Sequence, residues 1–99
     1  MQLPKVLNSY RDDLPHGFVR IMRPGPWGNP FVIGRDGDRR TVLRKYRVWL
    51  MEQLANDPRF RRQFMALADV PALMCCCKPA ACHGDVMVEV LAKLMEGEK

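Results

Sequence analysis

Val70-Pro71-Ala72-Leu73-Met74-Cys75-Cys76-Cys77-Lys78-Pro79-Ala80-Ala81-Cys82-His83-Gly84-Asp85 is the stretch that decides how this chain folds. Val70 to Cys77 is a nearly continuous apolar run. Its length suits a strand buried on both faces, as in a parallel sheet. Lys78 to Ala81 reads as a turn. A helix then starts near Cys82 to Asp85 and runs to about Glu96. Val86, Val90, Leu91 and Leu94 form its apolar face, with Met87 beside it.

The elements upstream agree with this reading. Lys5 to Asn8 is a short candidate strand, and Phe18 to Met22, with apolar β-formers, is a better one. The proline-rich segment Pro24-Gly25-Pro26-Trp27-Gly28-Asn29-Pro30 ends it as a loop. Phe31-Val32-Ile33 follows, then a turn over Gly34 to Asp38 carrying the Asp36-Gly37 signal. A helix is expected from about Arg39 to Leu54, because Val42, Leu43, Tyr46, Trp49, Leu50 and Leu54 fall on one face. Asn56-Asp57-Pro58 breaks it and caps a second helix holding Phe60, Phe64, Leu67 and Ala68. The order strand, strand, loop, helix, helix, strand, helix predicts one small α/β domain over residues 1–99, with a short, mostly parallel sheet packed by about three helices. In such sheets ligands sit beyond the carboxyl ends of the strands. Both unusual loops follow predicted strands, so they are expected to meet at that edge.

Composition narrows the setting. With 99 residues, 47% of them hydrophobic and 27% charged, the chain reads as an ordinary globular domain. No apolar run approaches the length of a membrane span, and the first residues carry no signal-peptide core. All four cysteines lie between Cys75 and Cys82, whereas an extracellular framework would spread them apart. The expectation is a cytoplasmic protein that contacts no membrane. A net charge of +5 favours an anionic partner.

The Cys-His turn admits three functional readings. The favoured one is a nucleotide-like anion site. A strand-to-helix turn aims free backbone N–H groups at a ligand, Gly84 lets a phosphate or sugar approach, and Asp85 bonds a ribose hydroxyl. The second is a zinc site of Cys75, Cys77, Cys82 and His83, although their spacing lacks the two-residue gap of common fingers. The third is catalysis, with Cys82 as a nucleophile of lowered pKa at a helix start and His83 or Asp85 as its partner base. Against these stands a plain one: small buried cysteines, a helix-start histidine and an N-terminal helix charge.

Two further features bear on a ligand. Pro24, Pro26 and Pro30 restrict the backbone around Trp27, Gly28 and Asn29, so an indole is held to stack on a base and an amide to read an edge. Equally, Trp27 and Phe31 fill a core and Asn29 caps a turn. Arg23, just before the loop, is placed to neutralise a phosphate. Arg40, Arg44 and Arg47 recur at helical spacing, with Arg39 and Lys45 nearby, as a nucleic-acid or protein footprint or as a solvated face.

Taken together, Arg23-Pro24, Trp27-Gly28-Asn29-Pro30-Phe31, the helix with Tyr46 and Trp49-Leu50, and Cys75-x-Cys77 followed by Cys82-His83-Gly84-Asp85-Val86 resemble a family of bacterial and phage proteins, domain-of-unknown-function family 4326 (DUF4326). The resemblance spans about Leu7 to Leu94. This chain departs from the pattern at Cys76, where the family usually has Trp, and at Ala81, where it often has Pro. The ending also looks similar to DUF488, which shares a strand, then Cys-His, then a helix. The resemblance implies a compact Rossmann-like fold with a site at the strand-to-helix turn. It also implies occurrence in phage, and hence in a host cytoplasm. The combined expectation is a module binding or processing a nucleotide-like anion, with Cys82, His83, Gly84 and Asp85 as one wall, Arg23, Trp27, Gly28 and Asn29 as the other, and Cys75 and Cys77 as the floor, without a cofactor. Two alternatives stand beside it: an accessory protein that binds a host protein or nucleic acid through Arg40, Arg44 and Arg47, and a small zinc domain.

Overall fold

A computed structural model of the chain describes residues 3–8, 10, 12–23, 25–75 and 80–97. Three strands, β1 (Lys5–Asn8), β2 (Val19–Arg20) and β3 (Ala72–Cys75), form a parallel sheet in the order β1-β3-β2. Three helices, α1 (Arg39–Asn56), α2 (Pro58–Ala66) and α3 (His83–Gly97), accompany it, with a 3-10 turn over Leu67–Asp69 after α2. This is the expected small α/β fold. Among the described residues the link from β1 to β2 carries no helix. The β-α-β winding that a Rossmann-like fold repeats therefore occurs once, from β2 through α1 and α2 to β3.

Register explains which residues enter the core. Val6 and Val19 both pair with Leu73, and Asn8 pairs with Cys75. Paired residues of a parallel sheet share a face. Val6, Val19, Leu73 and Cys75 belong to one core cluster with Tyr46 and Leu50 of α1, Phe64 of α2, and Met87, Val90 and Leu91 of α3. The central strand is the most buried, as its apolar sequence requires: Ala72, Leu73 and Cys75 are fully buried and Met74 half-buried.

Two predicted strands are shorter than expected. The Phe18–Met22 candidate keeps only Val19–Arg20, because the Phe18 N–H turns back to the Pro15 carbonyl at 3.3 Å. Past β2 the Ile21 N–H still donates to the Met74 carbonyl, at 3.1 Å. The Val70–Cys77 run yields Ala72–Cys75, since the Val70 N–H closes the 3-10 turn on the Leu67 carbonyl. Cys76, Cys77, Lys78 and Pro79 lie outside the described residues, as does Pro24.

The helices start where the sequence supplies caps. The Asp38 carboxylate accepts the Thr41 N–H at 2.8 Å, and Asp57 accepts those of Arg59 and Phe60 with Pro58 following it. Such caps contribute about 1 kcal/mol each. Within α1, Val42, Tyr46, Leu50 and Leu54 are buried, while Leu43 and Trp49 are half-buried. Arg47, on the flank of that stripe, pairs with Glu89 of α3. Both side chains are substantially exposed, so Arg47→Ala is expected to cost less than about 1 kcal/mol, measured as a shift in the urea midpoint.

A cavity where two loops meet

The cavity is built at the carboxyl edge of the sheet. Beyond β2 the chain runs through Ile21, Met22 and Arg23 into the proline-rich loop, and beyond β3 it reaches Cys82 and enters α3. Both stretches line one cavity of ≈ 240 Å³. Met22, Arg23, Asn29, Phe31, Val32 and Ile33 come from the first side, and Cys75, Cys82 and His83 from the second. Arg39, Val42 and Leu43, from the start of α1, complete the wall. The expected convergence of the two loops therefore occurs.

The start of α3 is held by reciprocal bonds. The Cys82 N–H donates to the Asp85 carboxylate at 3.1 Å, and the Asp85 N–H donates back to the Cys82 carbonyl at 3.0 Å. The Gly84 and Asp85 amides favour a charged Cys82 sulfur. The Asp85 carboxylate supplies the returning half of a capping box, reaching back to the N–H three residues before it. Asp85 thus closes a helix end, and it does not line the cavity.

Cys82 and Cys75 lie deep in the floor, both under 2% exposed, with the Cys82 thiol donating to the Cys75 sulfur at 3.5 Å. Burial, and then the neighbouring Cys75, push the Cys82 thiol up to about 12, despite the two amides that favour a thiolate. This is opposite to the lowering that a nucleophile at a helix start requires. The sequence-based reading of Cys82 as an activated thiol is corrected accordingly: desolvation outweighs the helix end.

His83 is buried between the loops. Its Nε2–H donates to the Ile21 carbonyl at 2.7 Å, which fixes the tautomer, since a carbonyl can only accept. Its ring meets Tyr46 edge to face at 5.1 Å. Burial, aided by the Arg23 charge, lowers its pKa below the ordinary 6.5, although the Ile21 bond and Asp85 oppose this. The unfolded chain therefore takes up a proton here before the folded one does. The stability contributed by neutral His83 is complete above pH 6.5 and is lost as pH falls toward the lowered value. The urea midpoint is expected to drop as pH is taken from about 6.5 to 5, and His83→Gln, which keeps a donor for Ile21, is expected to flatten that drop. The carboxylates with lowered values, Asp36, Asp38 and Glu89, act only at lower pH.

Gly84 serves the packing of α3 and not a ligand's approach. A Cβ there would lie 2.7 Å from Val6 Cγ1 and 2.9 Å from Ile21 Cδ1, so its bareness lets the helix start sit on the sheet. Gly28 plays a similar part, since a Cβ would meet the Arg23 Cα and backbone N at 3.1 Å. Trp27 is 7% exposed and packs on Phe60 and Phe64, with centroids 5.1 and 5.8 Å away. The Tyr46 hydroxyl donates to the Trp27 carbonyl at 3.0 Å. The indole belongs to the core, and stacking on a base is excluded for it in this arrangement. Asn29 closes a turn through its Oδ1, which accepts the Phe31 N–H at 2.8 Å, and it also borders the cavity.

Three residues of the expected zinc set lie among the described residues. Cys75 and Cys82 are together, but His83 commits its Nε2 to Ile21, and Cys77 lies outside the described residues. Among the described residues no three His, Cys, Asp or Glu side chains come together to hold a metal. Of the basic stripe, Arg40 and Arg44 are exposed while Arg47 is engaged with Glu89.

Sequence reasoning placed Arg39 only near the stripe, and the structure puts it at the cavity. Its guanidinium Nη1 donates to the Ala81 carbonyl at 2.8 Å, tying the start of α1 to the turn before α3. Arg23 is held likewise, its Nη1 donating to the Asn29 carbonyl at 2.9 Å. Each guanidinium has five donors. Among the described residues neither has a carboxylate partner. The signal in the sequence was the place of Arg39, the first residue after an Asp cap.

Residues 7–93 match the family described as domain of unknown function DUF4326. A phage T4 protein, described as an uncharacterized 12.4 kDa protein of the nrdA-td intergenic region, is 26% identical over 98 residues, covering 98% of this chain and 85% of that one. No solved structure matches. Among the described residues no helix is long and apolar enough to cross a membrane.

Proposed function

The chain belongs to the DUF4326 family, and on that footing we propose that it binds a small nucleotide-like anion in the cavity between its two loops. The observation that carries this reading is the pair Arg23 and Arg39. Both residues border one cavity, each guanidinium donates to a loop carbonyl, and among the described residues neither has a carboxylate partner. Arginine forks suit phosphate and carboxylate oxygens. The remaining wall, from Met22, Phe31, Val32, Ile33, Val42 and Leu43, is apolar and suits the flat body of a base. Asn29 and neutral His83 supply polar groups beside it. Trp27, Gly28, Gly84 and Asp85 support this site through packing and capping.

The test is equilibrium binding of nucleoside monophosphates against the matching nucleosides at low and high salt. The phosphorylated forms are expected to bind at least about tenfold tighter, since one charge-assisted hydrogen bond is worth 1.5 kcal/mol or more. Equal affinity for nucleoside and nucleotide, or no binding of either at millimolar concentration, would sink the reading.

A second reading, a protein partner on α1, is favoured by one observation. Phe31, Val48 and Trp49 line a groove with Arg44, Lys45 and Glu52, and Val48 and Met51 are about half exposed. Reversal of Arg40 and Arg44 to Glu separates the two readings: it abolishes partner capture and leaves nucleotide affinity within about twofold.

A further inference from the structure

We infer that Cys75 and Cys82 are a dithiol–disulfide couple set in the floor of the cavity, a modification site for peroxide-class oxidants. The two sulfurs are 3.5 Å apart and in thiol-to-sulfur contact. A disulfide needs about 2.05 Å, so the two side chains together have roughly 1.5 Å to close. They sit on elements fixed independently of each other. Cys75 ends the central strand, its backbone in register with Asn8. Cys82 is held by the reciprocal bonds of the capping box. The pair therefore owes its proximity to the strand-to-helix geometry. Both residues are under 2% exposed, yet both border the cavity, which is large enough to admit a small oxidant.

The chemistry balances with hydrogen peroxide as the co-reactant. One thiol attacks the O–O bond and gives up its proton as the S–O bond forms, leaving a sulfenic acid and one water. The second thiol attacks that sulfur, the S–S bond forms, the hydroxyl leaves as a second water, and both thiol protons end in water. Two electrons pass from the sulfurs to the peroxide. On closure the Cys82 sulfur turns toward Cys75, at the residue that precedes His83 and lines the same cavity.

The experiment uses the full chain with Cys76→Ser and Cys77→Ser, so that only Cys75 and Cys82 remain, titrated with peroxide after full reduction. Folding of this variant is checked first by its unfolding curve, and a wild-type sample is run alongside with peptide mapping. The expected product is the monomer two mass units lighter, with no alkylatable thiol on denaturation and reversal by a dithiol reductant. The His83 imidazole resonance is expected to shift between the two forms. Gain of oxygen atoms, an intermolecular dimer, or two thiols still alkylatable at a hundredfold excess of peroxide would overturn the inference. So would a wild-type map joining Cys82 to Cys76 or Cys77 in place of Cys75.

Discussion

Gly84→Val is expected to destabilise the protein by about 3 kcal/mol, the upper part of the range for an overpacked core. The first atom of any side chain at this position lies 2.7 Å from Val6 Cγ1 and 2.9 Å from Ile21 Cδ1. Ordinary contact is closer to 4 Å. Val6 is β-branched and anchored in β1, so it has little freedom to swing aside. The start of α3 must instead rise from the sheet, carrying Cys82 and His83 with it. Gly84→Ala makes the same clash with one atom, and is expected to cost about 1 kcal/mol, because better helix propensity offsets part of the strain. Gly97, at the other end of α3, has nothing within 4 Å, and Gly97→Ala is expected to change stability by less than about 0.5 kcal/mol. Urea unfolding of the three variants checks the order. A Gly84→Val protein as stable as Gly97→Ala would show that α3 does not rest on the sheet at this point.

Removing both cavity guanidiniums, as Arg23→Ala with Arg39→Ala, is expected to weaken binding of a nucleoside monophosphate by about 100-fold or more. Each charge-assisted bond contributes roughly 1.5–3 kcal/mol, and two at the lower value already exceed that factor. Arg39→Ala also frees the Ala81 carbonyl, and Arg23→Ala frees that of Asn29. Arg39→Lys and Arg23→Lys retain the charge but not the fork, so intermediate losses are expected. Titration calorimetry at fixed ionic strength measures the series. Affinity unchanged in the double alanine variant would remove the arginines from the site.

Much of the scaffold was legible. β1 was read with its observed bounds. α1 was read from its apolar stripe and the turn before it, and α2 from Asp57-Pro58, whereas the Asp38 cap emerged only from the structure. The candidate site was only half legible. That two loops meet follows from parallel topology, which sends every strand's carboxyl end to one edge. Which side chains face the meeting place does not follow, because burial is decided by packing between distant segments. Trp27 reads the same whether it faces a ligand or fills the gap between Phe60 and Phe64. Gly84 reads the same whether it admits a phosphate or the methyls of Val6 and Ile21. The Cys82 pKa went in the opposite direction for a related reason. A helix end is visible in sequence, but the desolvation that outweighs it is not.

The order β1-β3-β2 has a consequence for biosynthesis. Among the described residues the two outer strands do not pair with each other, and each pairs with β3. Lys5 pairs with Ala72, so β1 leaves the ribosome long before its partner is made. Until then the nascent chain holds two unpaired strands and two amphipathic helices with no sheet to cover, a state that exposes apolar surface. Local helices form early, whereas pairing across such a separation waits on loop closure. β3 and α3 are thus the keystone, since the sheet forms only when β3 supplies the partner of both outer strands. A premature stop before Ala72 leaves a product with no sheet at all, marked for aggregation or degradation.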